Sequence, residues 1–254
     1  MKLRVLGCSG GIGGNLRTTS FLLDHDVLID AGTGVNELSL TELSVIDHIF
    51  ITHSHLDHIA CMPLLIDSVG FMRNHPLTIY VAEETLAILR EHVFNWKVWP
   101  DFTRIPNAQN PYMRFQTISI GETVDLGGRR ITPIPAVHTV PAVGFHLDSG
   151  TGSLVFSGDT TINDELWQVV NRIENLRYLI IETAFSDNEK ELAIASKHLC
   201  PSMLAEELLK FRGEAEIHIT HLKPGEVELT MRQIEKAVHG RHPKMLLNNH
   251  EFEF

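Results

Sequence analysis

Short apolar runs recur along the whole chain, most of them rich in Val, Ile, Leu or Phe and closed by a turn residue. They predict strands at Leu3–Leu6, Ser20–Leu23, Val27–Ile29, His48–Thr52, Leu77–Val81, Thr117–Ile120, Ile131–Ile134, Leu154–Ser157, Tyr178–Glu182, Ile217–Thr220 and Met245–Leu247. Between them apolar residues return at helical spacing. Leu86, Leu89 and Val93 form one stripe. Leu166, Val169, Val170 and Ile173 form a second behind Asn163 as N-cap, and Leu204, Leu208 and Phe211 follow Pro201, which suits a first helical turn. Met231, Ile234 and Val238 make the last. The first 30 residues read as hairpins and the second half alternates strand with helix. That mixture predicts an α/β fold of sheets covered by helices, with some antiparallel edges. No repeat, low-complexity tract or linker interrupts it, so one domain over residues 1–254 is expected, with Asn107–Pro111 as a surface excursion.

Composition narrows the partners. The chain has 254 residues, 43% hydrophobic and 21% charged, which is ordinary for a soluble globular protein. Its formal charge of -11 repels polyphosphates at long range, so a large nucleic acid is not the expected partner. A small anion could still bind where metal ions make a site locally positive. Cys8, Cys61 and Cys200 form no paired motif and read as reduced thiols. The opening residues lack the apolar stretch and cleavage site of a signal peptide, and no run approaches a membrane span. A cytoplasmic location without membrane contact is the expectation.

The 15 histidines matter through their spacing. In Thr52-His53-Ser54-His55-Leu56-Asp57-His58, four potential ligands fall within six positions after an apolar strand. His53 and His55 alternate, so extended backbone can turn both to one side. Asp57 and His58 follow as the chain turns, with Pro63 suited to the next helix start. Such crowding is unfavourable unless cations hold it together. Three more candidates stand at the ends of apolar strands: His138, Asp159 and His221. Ligands gather at such C-terminal strand ends in open α/β sheets.

The pattern HxHxDH, followed by His138, Asp159 and His221, resembles the metallo-β-lactamase superfamily over nearly the whole chain. The resemblance implies a four-layer αββα sandwich with these residues at one edge between two sheets. It assigns His53, His55 and His138 to a first metal ion, Asp57, His58 and His221 to a second, and Asp159 to a bridging position. Asp30, in Leu28-Ile29-Asp30-Ala31-Gly32, matches an early aspartate that supports the ligands from behind; a plain turn aspartate fits the same position. The donors suit Zn²⁺, with Mn²⁺ or Fe²⁺ open by residue type. Two such ions make a bridging hydroxide at neutral pH and clamp the oxygens of the group under attack. Asp57 thereby counts among the catalytic residues as well as the ligands. Lactam-cleaving members often replace one aspartate or histidine, and this chain keeps the full set, which leans toward phosphodiester or thioester hydrolysis.

A second block bears on the substrate. Glu182, at a strand end, and His198, before a helix, can form an acid pair in which the imidazolium protonates a leaving alkoxide. A helix-start histidine with a structural partner is the plain alternative. The wording around positions 53–59, Ser196-Lys197-His198-Leu199 and Ile219-Thr220-His221-Leu222-Lys223-Pro224 is similar to class II cyclic-nucleotide phosphodiesterases. Cys61 and Pro63 stand where that class carries Gly or Ser and an aliphatic residue. The related tRNase Z branch carries a long basic arm, and the 21 positions between His138 and Asp159 leave no room for one. The expectation is therefore a binuclear phosphodiesterase acting on a 3′,5′-cyclic nucleotide. An RNA 3′-end nuclease, a thioesterase and a non-hydrolytic metal-binding module are the alternatives.

Other features carry less. Trp96, Trp99, Phe102, Tyr112 and Phe115 could stack a base, or form a lid, a core patch or a homodimer contact. Gly7–Gly14 reads as a hairpin turn near the site, with Arg17, Thr18 and Thr19 as candidate phosphate contacts. His25, His48, His75, His92, His146, His218, His239, His242 and His250 lack motif context and default to surface or satisfied polar roles.

Overall fold

A computed structural model describes residues 1–254. The chain forms two seven-stranded sheets laid face to face. In the first, β1 (Lys2–Gly7), β2 (Ser20–Leu23) and β3 (Val27–Ile29) are antiparallel, as the hairpin reading expects. The sheet continues in parallel through β4 (His48–Phe50), β5 (Leu77–Val81) and β6 (Met113–Thr117). The second begins with antiparallel β7 (Val124–Asp125), β8 (Arg130–Pro135), β9 (Val143–Asp148) and β10 (Ser153–Phe156). It continues in parallel through β11 (Leu176–Glu182), β12 (Glu216–Thr220) and β13 (Lys244–Met245). The last strand, β14 (Glu251–Glu253), returns to pair with β1.

Strand alternation divides the core into three layers. Leu3, Val5, Phe21, Phe50, Phe145 and Phe156 meet between the sheets, where Phe21 and Phe156 pack edge to face at 4.9 Å. Leu22, Leu28 and Ile49 turn outward against α3 (Met62–Val69) and α4 (Glu83–His92). Val155, Leu179, Ile181 and Ile219 turn outward on the other side against α5 (Asp164–Val170), α7 (Pro201–Leu208) and α8 (Val227–Ala237). This is the expected order helix, sheet, sheet, helix. The smaller helices are α1 (Leu40–Ser44), α2 (Leu56–Ile59) and α6 (Lys190–Ser196). No helix is long and apolar enough to cross a membrane.

Several boundaries agree with the hydrophobic pattern. Asn163 caps α5, its Oδ1 accepting from the Leu166 amide at 3.1 Å, and Pro201 opens α7. The strand expected at Thr117–Ile120 lies earlier, at Met113–Thr117. That edge strand pairs only with β5 and is half exposed, so no continuous apolar run marks it. Strand β9 carries Gly144 and His146 and escapes the pattern. A side chain at Gly144 would lie 2.5 Å from the Phe156 carbonyl, so the neighbouring strand requires the glycine there. Strand β13 ends at Met245, two residues short of the expected Leu247. All three cysteines are free thiols.

Candidate metal centre

The parallel strands of both sheets end at one rim, and the candidate ligands are delivered there. Beyond β4 the chain stays extended through Thr52, whose amide donates to Asp30 Oδ1 at 2.8 Å. His53 and His55 follow, and the single turn of α2 then presents Asp57 and His58. His138 comes from the loop between β8 and β9, Asp159 from the turn after β10, and His221 from the end of β12.

These seven residues converge. The ligating atoms of His53, His55 and His138 lie within 4.8 Å of one another, and so do those of Asp57, His58 and His221. Asp159 stands between the triplets. Its Oδ2 is 3.6 Å from His53 Nε2, 3.3 Å from His58 Nε2 and 4.0 Å from His138 Nε2, and its Oδ1 is 3.3 Å from His221 Nδ1. That is the placement a bridging carboxylate needs. His198 also comes within 4.8 Å of His138 and Asp159, so reach alone does not separate it from the ligands.

The hydrogen bonds behind the cluster decide which nitrogens face it. His58 Nδ1 donates to Asp30 Oδ2 at 2.7 Å, and Thr52 Oγ1 donates to the same oxygen at 2.8 Å. With its proton so committed, the Thr52 hydroxyl accepts from His53 Nδ1 at 3.0 Å. One buried carboxylate thus orients two imidazoles, and Asp30 does the supporting work that its position after β3 suggested. His138 Nδ1 donates to the Lys197 carbonyl at 3.1 Å. Each arrangement leaves an Nε2 lone pair directed inward. The parts played by Thr52 and by the Lys197 carbonyl were not foreseen, because hydroxyl and backbone acceptors carry no ligand signature.

Three of the inward nitrogens, His53 Nε2, His58 Nε2 and His221 Nδ1, are buried without any hydrogen-bond partner. Leaving such atoms unpaired costs about 1–3 kcal/mol each, and divalent cations are what this donor set would pair with. The electrostatics agree. Burial drives His138 down to about 4 and His221 to about 3, and it holds His53 well below the ordinary histidine range. These imidazoles are neutral at pH 7 and ready to donate lone pairs. Burial also disfavours a charged His58, but Asp159 and Asp30 outweigh it and raise its pKa. A proton on His58 therefore stands where a cation would sit.

Beside the cluster, His198 Nδ1 donates to Glu182 Oε1 at 2.7 Å. Glu182 is fully buried and also accepts from the Thr160 and Leu199 amides at 3.1 and 3.3 Å. Burial lowers the His198 pKa, but the adjacent Glu182 carboxylate wins and the net shift is upward. The His198 ring stacks on His221 with centroids 5.0 Å apart. A cavity of about 880 Å³ opens next to His138, between the loop 136–143, the start of α4 and the segment after β6. Its charged lining residues are Glu83 and Glu84.

Other candidates lie outside the cluster. Arg17 is engaged by Glu37 at 3.0 Å and by the Gly14 and Leu16 carbonyls, while Thr18 bonds Thr33, so neither is held free for a phosphate. Thr19 is buried. Phe102 belongs to the core under α4, with Trp99, Tyr112 and Phe115 packed against it. The core patch is the reading the structure supports, and Trp96 alone stays exposed. Of the histidines without motif context, His218 is buried and bonded to Glu216 at 2.7 Å, and the others are half-buried or exposed.

A model of the "Beta-lactamase superfamily domain" family matches residues 25–241. A probable 3′,5′-cyclic-nucleotide phosphodiesterase of Yersinia pestis is 27% identical over 203 residues, which cover 70% of this chain and 57% of that protein. A ribonuclease Z of Methanococcus maripaludis is 31% identical over 153 residues, or 57% of this chain and 48% of that one. The chain thus spans about half the length of these curated relatives. Unliganded yeast PDE1 superposes with a TM-score of 0.81 at 18% identity, covering 98% of both chains, a likeness of fold.

Proposed function

This chain belongs to the beta-lactamase superfamily, and from that premise we propose that it is a binuclear metal-dependent phosphodiesterase whose substrate is a 3′,5′-cyclic nucleotide. The observation that carries this reading is the Glu182–His198 pair at 2.7 Å, set within reach of His138 and Asp159. A thiolate leaves a thioester without a proton, whereas a ribose alkoxide leaves poorly without one.

His53, His55 and His138 would hold one cation, Asp57, His58 and His221 the other, with Asp159 between. When bound, the two cations supply a nucleophilic water at neutral pH and offset the charge of the phosphoryl group. The chain's own residues do the rest. Asp30 and Thr52 fix the His58 and His53 tautomers. With Nδ1 committed to Glu182, His198 gives up the proton on Nε2 to the departing ribose oxygen. The buried Glu182 stabilises the imidazolium before transfer and keeps the ring aimed. The cavity beside His138 lies within the roughly 300–1,000 Å³ typical of small-ligand sites.

A second reading, an RNA 3′-end nuclease, is favoured by the similarity to ribonuclease Z. Against it, the span from His138 to Asp159 is taken up by the β9–β10 hairpin, with no inserted arm. Glu83 and Glu84 in the cavity, together with the net charge of -11, also oppose a polyanion.

Metal analysis should give close to two ions per chain. A panel of cyclic AMP, cyclic GMP, bis(p-nitrophenyl) phosphate and a precursor tRNA then ranks the readings. Cleavage of the tRNA with no turnover of the cyclic nucleotides would replace the first reading with the second.

A further inference from the structure

Three lysines of this acidic chain are held in salt bridges. Lys2 bonds Glu251, Lys244 bonds Glu216, and Lys210 bridges Asp164 and Glu207. Lys223, two residues beyond His221, is different: it is half-buried and forms no salt bridge. Its Nζ donates to the Gly10 carbonyl at 2.7 Å and lies 3.5 Å from His221 Nε2, at the limit of hydrogen-bonding reach. Its charge acts on Asp57, His198 and His221, residues from three separate elements around the candidate centre.

The position is built rather than incidental. The Lys223 amide donates to the Ala184 carbonyl at 3.0 Å, and the Gly10 amide donates to the Leu222 carbonyl at 3.1 Å. Gly10 has to be glycine for this loop to close. A Cβ there would lie 2.4 Å from the His221 carbonyl and 3.1 Å from Lys223 Cδ. The loop after β1 is thus pressed against the residues after β12, and one of its carbonyls steers the ammonium. An ammonium carries three donors, and a single backbone carbonyl leaves it with capacity to spare.

We propose that Lys223 is the anion-recognising residue of the site, its ammonium donating to a nonbridging oxygen of the substrate phosphodiester. The inference rests on the phosphodiesterase reading and sharpens it. It assigns to this lysine the choice of a substrate anionic at the reacting group over neutral esters and thioesters. A compact ammonium suits that task, acting as a point charge while the opposite side of the phosphoryl group stays open to attack.

The test compares holoenzyme carrying Lys223→Met or Lys223→Arg with wild type. The measurements are turnover of bis(p-nitrophenyl) phosphate, calorimetric binding of inorganic phosphate, and metal content. Losing a charged hydrogen bond should raise KM for the diester and weaken phosphate binding by about 10–100-fold in Lys223→Met, with kcat changed less. Lys223→Arg should recover part of both, and all three proteins should hold the same number of ions. KM and phosphate affinity within about twofold of wild type would overturn the proposal, and so would loss of metal from Lys223→Met, or a wild type that binds no phosphate. A wild type that binds phosphate through Lys223 but hydrolyses no diester leaves the lysine's role standing and removes the phosphodiesterase reading.

Discussion

Asp30, just past the end of β3, holds the Nδ1 proton of His58, in the helical turn α2, at 2.7 Å with both groups fully buried. The bond fixes the His58 ring with Nε2 turned toward the centre, where a cation would displace its proton. Replacing Asp30 with Ala removes the acceptor for both His58 and Thr52. Metal affinity should fall about 10–100-fold, the usual cost of losing such a supporting carboxylate. A chelator competition measures it. His58→Ala, which removes a proposed ligand outright, should lose one of two ions. Unchanged affinity in Asp30→Ala would mean that burial alone orients His58.

The acid role of His198 predicts a dependence on leaving group. His198→Ala should slow cyclic nucleotide hydrolysis by about 10²–10⁴-fold, the range that general acid catalysis supplies. Bis(p-nitrophenyl) phosphate, whose nitrophenolate departs without a proton, should be affected far less. Metal content separates this from the alternative that reach alone allows. If His198→Ala loses an ion, His198 is a ligand and the acid must be sought elsewhere.

How far the chain could be read in advance depended on what each residue uses. Strands β2, β3 and β5 have the expected bounds because they are covered on both faces, so every position is buried, nearly all are apolar and the ends are sharp. The seven candidate ligands stand out because histidine and aspartate side chains have to be present for the chemistry. Strand β9 was hidden by Gly144 and His146, which answer to the neighbouring strand rather than to a periodic pattern. Thr52, Lys197 and Gly10 act through a hydroxyl, a carbonyl and a missing side chain. Only three-dimensional packing gives such features meaning.

Buried histidines predict acid sensitivity of the metal-free protein. Burial lowers the pKa of His48, His146 and His218, away from the centre, and of His53, His138 and His221 within it. Below the unfolded value near 6.5 the unfolded chain binds these protons first, so stability falls as pH falls toward the folded values. His138 alone, dropping from 6.5 to about 4, costs up to about 3 kcal/mol by pH 4. His58 and His198, both raised, act oppositely: their contribution is complete at low pH and is lost as pH rises through their folded values. The lowered set is the larger, so chelator-stripped protein should lose denaturant resistance between pH 6.5 and pH 5. Equal or greater resistance at pH 5 would contradict the buried neutral assignment.

Lys197 adopts φ 54° at the end of α6, a left-handed conformation that costs a non-glycine residue about 1–2 kcal/mol. That conformation aims its carbonyl at His138 Nδ1, while its ammonium donates to the His138 carbonyl at 3.0 Å. If the backbone carbonyl is what orients the imidazole, the side chain is dispensable. Lys197→Gly would relieve the strain, lose one part-buried hydrogen bond and gain unfolded-state entropy, so its stability should stay within about 1 kcal/mol of wild type. Its metal content should be unchanged. Lys197→Pro cannot adopt a positive φ and also loses the amide bond to the Ile194 carbonyl. It should lose the ion held by His53, His55 and His138 and be destabilised by about 3 kcal/mol or more. Chelator competition and denaturant unfolding on the two variants decide between backbone and side chain. Should Lys197→Gly shed its metal as Lys197→Pro does, the ammonium on the His138 carbonyl is what positions the ring.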